Sequence, residues 1–329
     1  MSDLAPLLQR FFTDRLTLQR QASPHTIAAY RDTFRLLLTF ASTRAARQPA
    51  RLRLADLDAP TIAAFLEHLQ TGRGNTTATR NARLAAICSF FRYAALHAPD
   101  QAATIQRVLA IPPKRTDRAI VAYLTEPEID ALLAAPDRTG WLGRRNHTLL
   151  LTAIHTGLRA GELIGLQIKD IDVGTGAHLR CHGKGRKDRA TPLTTTTVAV
   201  LRAWLAERAG ADTDPVFATR QGNPLSHDAV QRLVAKHTAT AAASCPSLRD
   251  KHVTPHTLRH STAMMLLRSG IDLTVIALWL GHESTETTQI YLHADMTIKE
   301  QALARVAPPD STPGRYKAPD TLLAFLADL

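Results

Sequence analysis

The sequence predicts a mainly α-helical protein of two domains, with a small antiparallel β-sheet in the second. Apolar residues recur at helical spacing over most of the 329 residues, and three short strand-like segments follow one another in the second half. A proline-containing break also divides the chain where its charge changes. With 45% hydrophobic residues, there is enough apolar material for a core in each domain.

The first 110 or so residues are predicted to be helical throughout. Helices are expected at 4–18, from Ser23 and Pro24 onward, at 59–69 and after residue 74, with Ser23 as an N-cap and Pro24 in the first turn. The fourth helix has one apolar face. We expect its other face to be a basic, hydroxyl-bearing surface that contains Thr76, Thr79, Arg80 and Arg83.

Two prolines after Ile111 cannot continue a helix, and a polar, charged run follows them. We therefore predict a helical domain at 1–111, a linker at 112–120, an α+β domain at 121–307, and a proline-rich tether with a C-terminal helix at 308–329. Strands are expected at 168–172, 178–182 and 189–193. Helices are expected from a capped start at 124–128 and at 145–156, 193–208, 227–243, 255–269, 273–280 and about 287–293.

The net charge of +11 is unevenly distributed along the chain. Residues 1–115 contain 16 basic and 7 acidic residues, a net of +9, which leaves +2 for the rest. This imbalance predicts a polyanionic partner, most often nucleic acid. No apolar run approaches the length that spans a bilayer, and the three cysteines fit neither a disulfide framework nor a zinc site. We expect a cytoplasmic protein with no membrane partner.

One candidate site begins at Thr254 and Pro255, which are typical of a helix start. His256 and Arg259 then lie three residues apart on one face of the first turn, where backbone amides already favour an anion. This pattern predicts a phosphate-binding position. His256 and His260 are alternatively a metal pair, but the glutamate of the HExxH zinc helix is absent. Either histidine is otherwise a structural residue.

Three other places in the sequence carry side chains that are suited to phosphate binding or catalysis. Arg159 follows a helix-ending glycine, and Glu162 is placed three residues later to orient its guanidinium. Lys184 is flanked by glycines in a predicted turn, and only 8 of the 40 basic residues are lysines. His282 follows a second helix-ending glycine, nine residues before Tyr291. Taken singly, these are a surface ion pair, a turn lysine and a packing tyrosine.

Taken in order, the set resembles the tyrosine recombinase (phage integrase) family over essentially the whole chain. The resemblance lies in Thr-Gly-Leu-Arg-x-x-Glu-Leu at 156–163, His-x-Leu-Arg-His at 256–260 and Leu-Gly-His at 280–282. It implies a SAM-like core-binding domain followed by an α+β catalytic domain. The implied catalytic residues are Arg159, Lys184, His256, Arg259, His282 and Tyr291.

The resemblance implies site-specific recombination, in integration, resolution or transposition of DNA elements. Tyr291 is the implied nucleophile, which forms a 3′-phosphotyrosyl link and frees a 5′-hydroxyl. The resemblance assigns transition-state stabilisation to Arg159, Arg259 and His282. It makes Lys184 the general acid on the departing oxygen and His256 an aid to deprotonation of the tyrosine. Glu162 is a plausible orienter of Arg159, and no metal or other cofactor is implied.

The expected partner is a double-stranded DNA recombination site, in a nucleoid-associated setting. Arg80, Arg83, Arg186 and Lys187 are candidate DNA contacts, so affinity should fall steeply with salt. Residues 322–329 are apolar at helical spacing and either pack on their own domain or dock on a neighbouring protomer of a homo-tetramer. The alternatives are a type IB topoisomerase and a catalytically silent DNA-binding protein.

Overall fold

The computed structural model describes residues 4–116, 122–182 and 188–281, together with Thr288 and Tyr291. The chain forms two compact units, Met1–Arg118 and Ala119–Leu329. In the described residues no helix combines the length and the apolar character needed to cross a membrane.

The first unit is helical. Its α-helices are α1 (Leu4–Arg10), α2 (Pro24–Ala45), α3 (Ala59–Thr71), α4 (Thr77–Ala94) and α5 (Ala102–Leu109). The core is aromatic at its centre, because the ring of Phe90 packs edge-on against Phe11 and Phe34 at centroid distances of 5.5 and 5.3 Å. Such edge contacts add to the burial of the apolar rings.

The predicted helix starts of this unit are confirmed by their caps. The side chains of Ser23, Asp58 and Thr76 each accept a hydrogen bond from the backbone N–H three residues later. The predicted helix at 4–18 is α1 followed by a π-helix at Phe11–Gln19, with the wider i to i+5 turn. Helix α5 was not predicted, because it is short, has no side-chain cap and buries only Ile105 and Val108.

The second unit contains seven α-helices and three strands within its described residues. The helices are α6 (Glu126–Ala134), α7 (Trp141–Thr156), α8 (Ala160–Gly165), α9 (Thr195–Arg208), α10 (His227–Ala241), α11 (Pro255–Arg268) and α12 (Leu273–Leu280). The strands β1 (Ile171–Asp172), β2 (His178–His182) and β3 (Asp188–Pro192) form one antiparallel sheet in that order. In its register, Ile171 pairs with Leu179 and Cys181 pairs with Arg189.

The predicted fold class, mainly helical with a small antiparallel sheet, is confirmed. Two local predictions differ from the structure. Most of the strand expected at 168–172 is a 3-10 turn at Ile168–Asp170, because the Asp170 carboxylate accepts the N–H of Gln167 at 2.9 Å and closes the chain into a turn. The short helix α8 was not predicted. The segment expected around 287–293 and the tail at 308–329 lie outside the described residues, except Thr288 and Tyr291.

Three helices of this unit, α7, α11 and α12, meet at Gly157, which ends α7. Its φ of 65° ends the helix in the left-handed region, which favours glycine. A Cβ here would also lie 2.6 Å from Leu280 of α12 and 3.3 Å from Thr262 of α11. Because only a residue without a side chain fits this contact, the chain after α7 starts close to the end of α12 and to the middle of α11.

Candidate active site

Arg159 is held in place by its own segment and by the end of α12. It is the N-cap of α8, and its backbone N–H donates to Oε2 of Glu162 at 2.8 Å. Its Nη1 donates to Oε1 of the same carboxylate at 2.9 Å, and Nη2 donates to the Gly281 carbonyl at 3.0 Å. The side chain is still 36% exposed. Only two of the five guanidinium N–H donors have these partners, so others remain available to an anion from solvent.

Glu162 is a buried carboxylate between two arginines, with a side chain only 7% exposed. Burial alone would raise its pKa, but hydrogen bonds from Arg189 and from the Arg159 N–H outweigh that effect and leave the pKa lowered. The contact with Arg159 is the one expected from the sequence. Arg189 was not predicted as a site residue, since no local pattern separates it from a surface arginine.

Arg259 is the most deeply placed cation of the site, at 4% exposure. Its Nη1 donates to the carbonyl of Gly157 at 2.7 Å, and its Nη2 donates to the carbonyl of Leu280 at 2.6 Å. Burial, with a smaller effect of the positive charge of Arg159, lowers the Arg259 pKa to about 10. The guanidinium therefore stays charged at neutral pH, and α11 brings it next to the two glycine-capped helix ends.

Tyr291 lies in the interior of the second unit, 1% exposed, in a cluster with Ala263, Met264, Ile276 and Leu280. Burial raises the pKa of its phenol, and the charges of Arg259 and Arg159 oppose that effect. The predicted nucleophile and the two predicted arginines are thus close enough to interact electrostatically, although they come from three separate segments of the chain.

His260 is the histidine that contacts the tyrosine. Its Nδ1 lies 2.9 Å from Oη of Tyr291, and burial, with the nearby charges of His256 and Arg259, lowers its pKa to about 4. At neutral pH the ring is therefore neutral and able to accept a hydrogen bond from the phenol. His256 lies exposed on the first turn of α11, and its side chain makes no hydrogen bond among the described residues. His260 is part of the quoted string at 256–260, but the sequence could not select it over His256.

The lowered pKa of His260 has a consequence for the DNA-free protein. Between pH 6.5 and about 4 the unfolded chain binds a proton at this position that the folded site does not, so stability falls as the pH falls through this range. We expect His260→Gln to lose less stability over the same range. Denaturant unfolding at several pH values checks this. His252→Gln, at an exposed position just before the same helix, is the control and should keep the wild-type slope. Equal slopes for His260→Gln and the wild type would contradict the prediction.

The remaining predicted residues differ in placement. Lys184, Arg186, Lys187 and His282 lie outside the described residues. The strands β2 and β3 that flank the lysine-containing segment are described, and β2 matches its predicted bounds. Among the described residues, no group of three or more His, Cys, Asp or Glu could hold a metal ion. The three cysteines are free.

The expected exposure of Arg80 is wrong. Its side chain is 6% exposed, and Nη1 donates to Oδ1 of Asn81 at 2.9 Å and to the carbonyl of Pro112 at 3.3 Å. The start of the predicted linker folds back over α4 and covers it. Arg83 is 17% exposed and forms an ion pair with Asp32 at 3.0 Å. Both arginines are therefore paired with groups of their own unit.

Comparison with known proteins identifies the family of the chain. Residues 122–297 match the phage integrase family, and residues 8–97 match the phage integrase N-terminal SAM-like domain. A Sinorhizobium fredii protein named as an integrase/recombinase, y4rC, is 55% identical over 100% of this chain and 99% of its own length. Tyrosine recombinase XerC of Pelobacter propionicus is 34% identical over 94% of this chain and 99% of its own.

Solved structures agree as well. XerH site-specific recombinase bound to palindromic difH substrate has a TM-score of 0.66 at 26% identity, over 87% of this chain and 81% of that one. The Tn1549 transposon integrase in complex with transposon right end DNA is similar in fold, with a TM-score of 0.68 at 16% identity, over 92% and 99%. The fold and the site together define a tyrosine-type site-specific recombinase. The chain belongs to the phage integrase family.

Proposed function

We propose that this chain cleaves and rejoins DNA strands through a covalent intermediate on Tyr291. One observation supports this above the others: a tyrosine hydroxyl, a neutral histidine and two arginines from distant segments are gathered around the ends of α7 and α12. Two similar structures, XerH bound to difH substrate and the transposon integrase in complex with DNA, support duplex DNA as the partner.

In the proposed step, Oη of Tyr291 attacks the scissile phosphorus and the bond from phosphorus to the 5′-oxygen breaks. The products are a 3′-phosphotyrosyl ester and a free 5′-hydroxyl. Because the ester retains the energy of the broken bond, an incoming 5′-hydroxyl can reverse the step on a new strand without a nucleotide cofactor. Lys184 is the proposed donor of the proton that the departing 5′-oxygen needs.

The charges around the tyrosine suit a phosphate that becomes more negative in the transition state. Arg159 is partly exposed and is the proposed hydrogen-bond donor to the phosphate. Arg259 is buried behind it and contributes a fixed positive charge, and His282 is a further proposed donor. His256 stands on the exposed first turn of α11, which suits a phosphate ligand better than a base. We assign acceptance of the phenol proton to His260.

In the DNA-free site the hydroxyl of Tyr291 stays protonated. Burial holds the pKa of Tyr291 above its ordinary value and holds that of His260 at about 4, so both groups are neutral. A phosphate bound against the arginines offsets part of their positive charge. This raises the proton affinity of His260 and of the Tyr291 oxygen alike, so the proton moves to His260 as Oη attacks phosphorus and not before.

We further propose how the rest of the chain takes part. The net charge of +9 on residues 1–115 favours the first unit as the main holder of duplex DNA, with a steep loss of affinity in salt. Arg186 and Lys187 remain proposed contacts. Arg83, and Arg80 if the linker start moves away, are weaker candidates because both are paired within the unit. A homo-tetramer joined through residues 308–329, acting in the cytoplasm on nucleoid DNA, fits this scheme.

Strand exchange between two duplexes tests the proposal. Two duplexes of different length and label, both cloned from the DNA that flanks the gene, are mixed with the protein, and we expect labelled products of recombinant length. Supercoiled plasmid with the same insert is the parallel substrate. Relaxation of the plasmid without recombinant products would favour a topoisomerase. Binding with neither product would favour a silent DNA-binding protein, and each result would reject the proposal.

A further inference from the structure

A second arginine, Arg189, completes the surroundings of Glu162. It lies on β3, opposite Cys181 of β2, and donates from Nη1 to Oε1 at 3.0 Å and from Nη2 to Oε2 at 2.9 Å. This two-pronged pairing is the strongest geometry available to an arginine and a carboxylate. The Arg189 side chain is 12% exposed, against 36% for Arg159. The charge of Arg189 is therefore used inside the protein.

The two arginines share one carboxylate. Oε1 accepts from Nη1 of Arg159 and Nη1 of Arg189, while Oε2 accepts from the Arg159 N–H and Nη2 of Arg189. Glu162 is thus fixed from two sides, and its single negative charge is divided between two cations. Without Arg189, the whole charge would act on Arg159, whose guanidinium could then turn to pair with both oxygens. An arginine closed in that way has fewer N–H groups free for a phosphate.

Arg189 also supports the second anchor of Arg159. The Gly281 carbonyl accepts Nη2 of Arg159 at 3.0 Å, and a Cβ on Gly281 would lie 2.5 Å from Nη1 of Arg189. The guanidinium of Arg189 therefore packs directly on the α-carbon of the residue whose carbonyl holds Arg159. Gly281 also has a φ of 65°, so it needs glycine for its backbone as well as for this contact.

We propose that Arg189 is a positioning residue for strand cleavage. It fixes Glu162 and the backbone at Gly281, and these hold the Arg159 guanidinium with its exposed portion toward the scissile phosphate. Arg189 acts through Arg159 and does not touch the DNA. The inference rests on the proposed function, because the phosphate is the one that Tyr291 attacks.

Single-turnover cleavage of a nicked suicide duplex at saturating protein tests the inference. Arg189→Gln is expected to lower the cleavage rate constant by about 10²-fold, the effect of a misplaced catalytic group, with the duplex Kd unchanged. Arg189→Lys should fall between, since it restores the charge but not the two-pronged geometry. Arg180 is an exposed residue of β2 in the same sheet, so Arg180→Gln is the matched control and should cleave at the wild-type rate.

The double variant separates positioning from a general structural effect. If Arg189 acts through Arg159, then Arg159→Ala with Arg189→Gln should cleave about as fast as Arg159→Ala alone. Effects that multiply would overturn the proposal, as would a wild-type rate for Arg189→Gln or a loss confined to DNA affinity. If Arg189→Gln does not fold, Arg189→Lys decides: a wild-type rate rejects the proposal and a reduced rate at unchanged Kd supports it. Failure of the proposed function differs, because the wild type itself would then form no adduct.

Discussion

Tyr291→Phe is expected to bind the recombination duplex as tightly as the wild type and to form no covalent protein–DNA adduct. The ring keeps its place in the apolar cluster of α11 and α12, since only the hydroxyl is removed. The hydrogen bond lost to His260 should cost about 1 kcal/mol of stability, which leaves the fold intact. Without Oη, no atom of this side chain can form the phosphate ester.

The measurement is adduct formation on a nicked suicide duplex, resolved by denaturing gel electrophoresis, with binding followed separately by fluorescence anisotropy. Tyr123→Phe is the matched control, because that tyrosine lies in the same unit and its hydroxyl accepts a hydrogen bond from Arg268 at 2.9 Å. It should form adduct normally. An adduct from Tyr291→Phe would mean that another residue is the nucleophile.

Alanine at the two arginines should separate catalysis from stability. Arg159→Ala removes a donor to the transition-state phosphate and Arg259→Ala removes the fixed charge behind it, and we expect cleavage to slow by about 10² to 10³-fold or more in both. Arg259→Ala also leaves the buried carbonyls of Gly157 and Leu280 without their partner, at about 1–3 kcal/mol for each group. Arg159→Ala should cost less stability than Arg259→Ala, because the Arg159 side chain is 36% exposed.

Single-turnover cleavage rates and denaturant unfolding of the two variants, measured side by side, check this expectation. Arg202→Ala, an exposed arginine of α9 that donates to the carbonyl of Val173, serves as the control for removal of a positive charge. Equal stability of Arg159→Ala and Arg259→Ala would show that the carbonyl contacts of Arg259 matter little. Wild-type cleavage in either variant would remove that arginine from the proposed site.

Local features of the chain were predictable because their physical causes lie within a few residues. Ser23 and Thr254 cap helices through their own side chains, and Pro24 and Pro255 suit the first turn in any tertiary context. The pairing of Arg159 with Glu162, three residues apart, also follows from one helical turn. Helices α5 and α8 were not predicted, because eight and six residues are too few for an apolar repeat to be distinctive.

Contacts between distant segments were not predictable in the same way. Nothing near Arg80 in sequence indicates that Pro112, 32 residues later, covers it, and the same holds for Arg189 and Glu162, 27 residues apart. The choice between His256 and His260 also depends on packing, because both lie at the start of α11 and only one of them faces the tyrosine.

The sequence by itself determined most of the helical elements, the division of charge and the set of residues able to act on a phosphate. These follow from spacing, caps and composition, which act over a few residues or over the sum of many. The tertiary structure alone decided which cations point into the site and which are used inside the protein. Burial and long-range pairing make that choice, since a guanidinium keeps its charge at either place and only its neighbours fix its role.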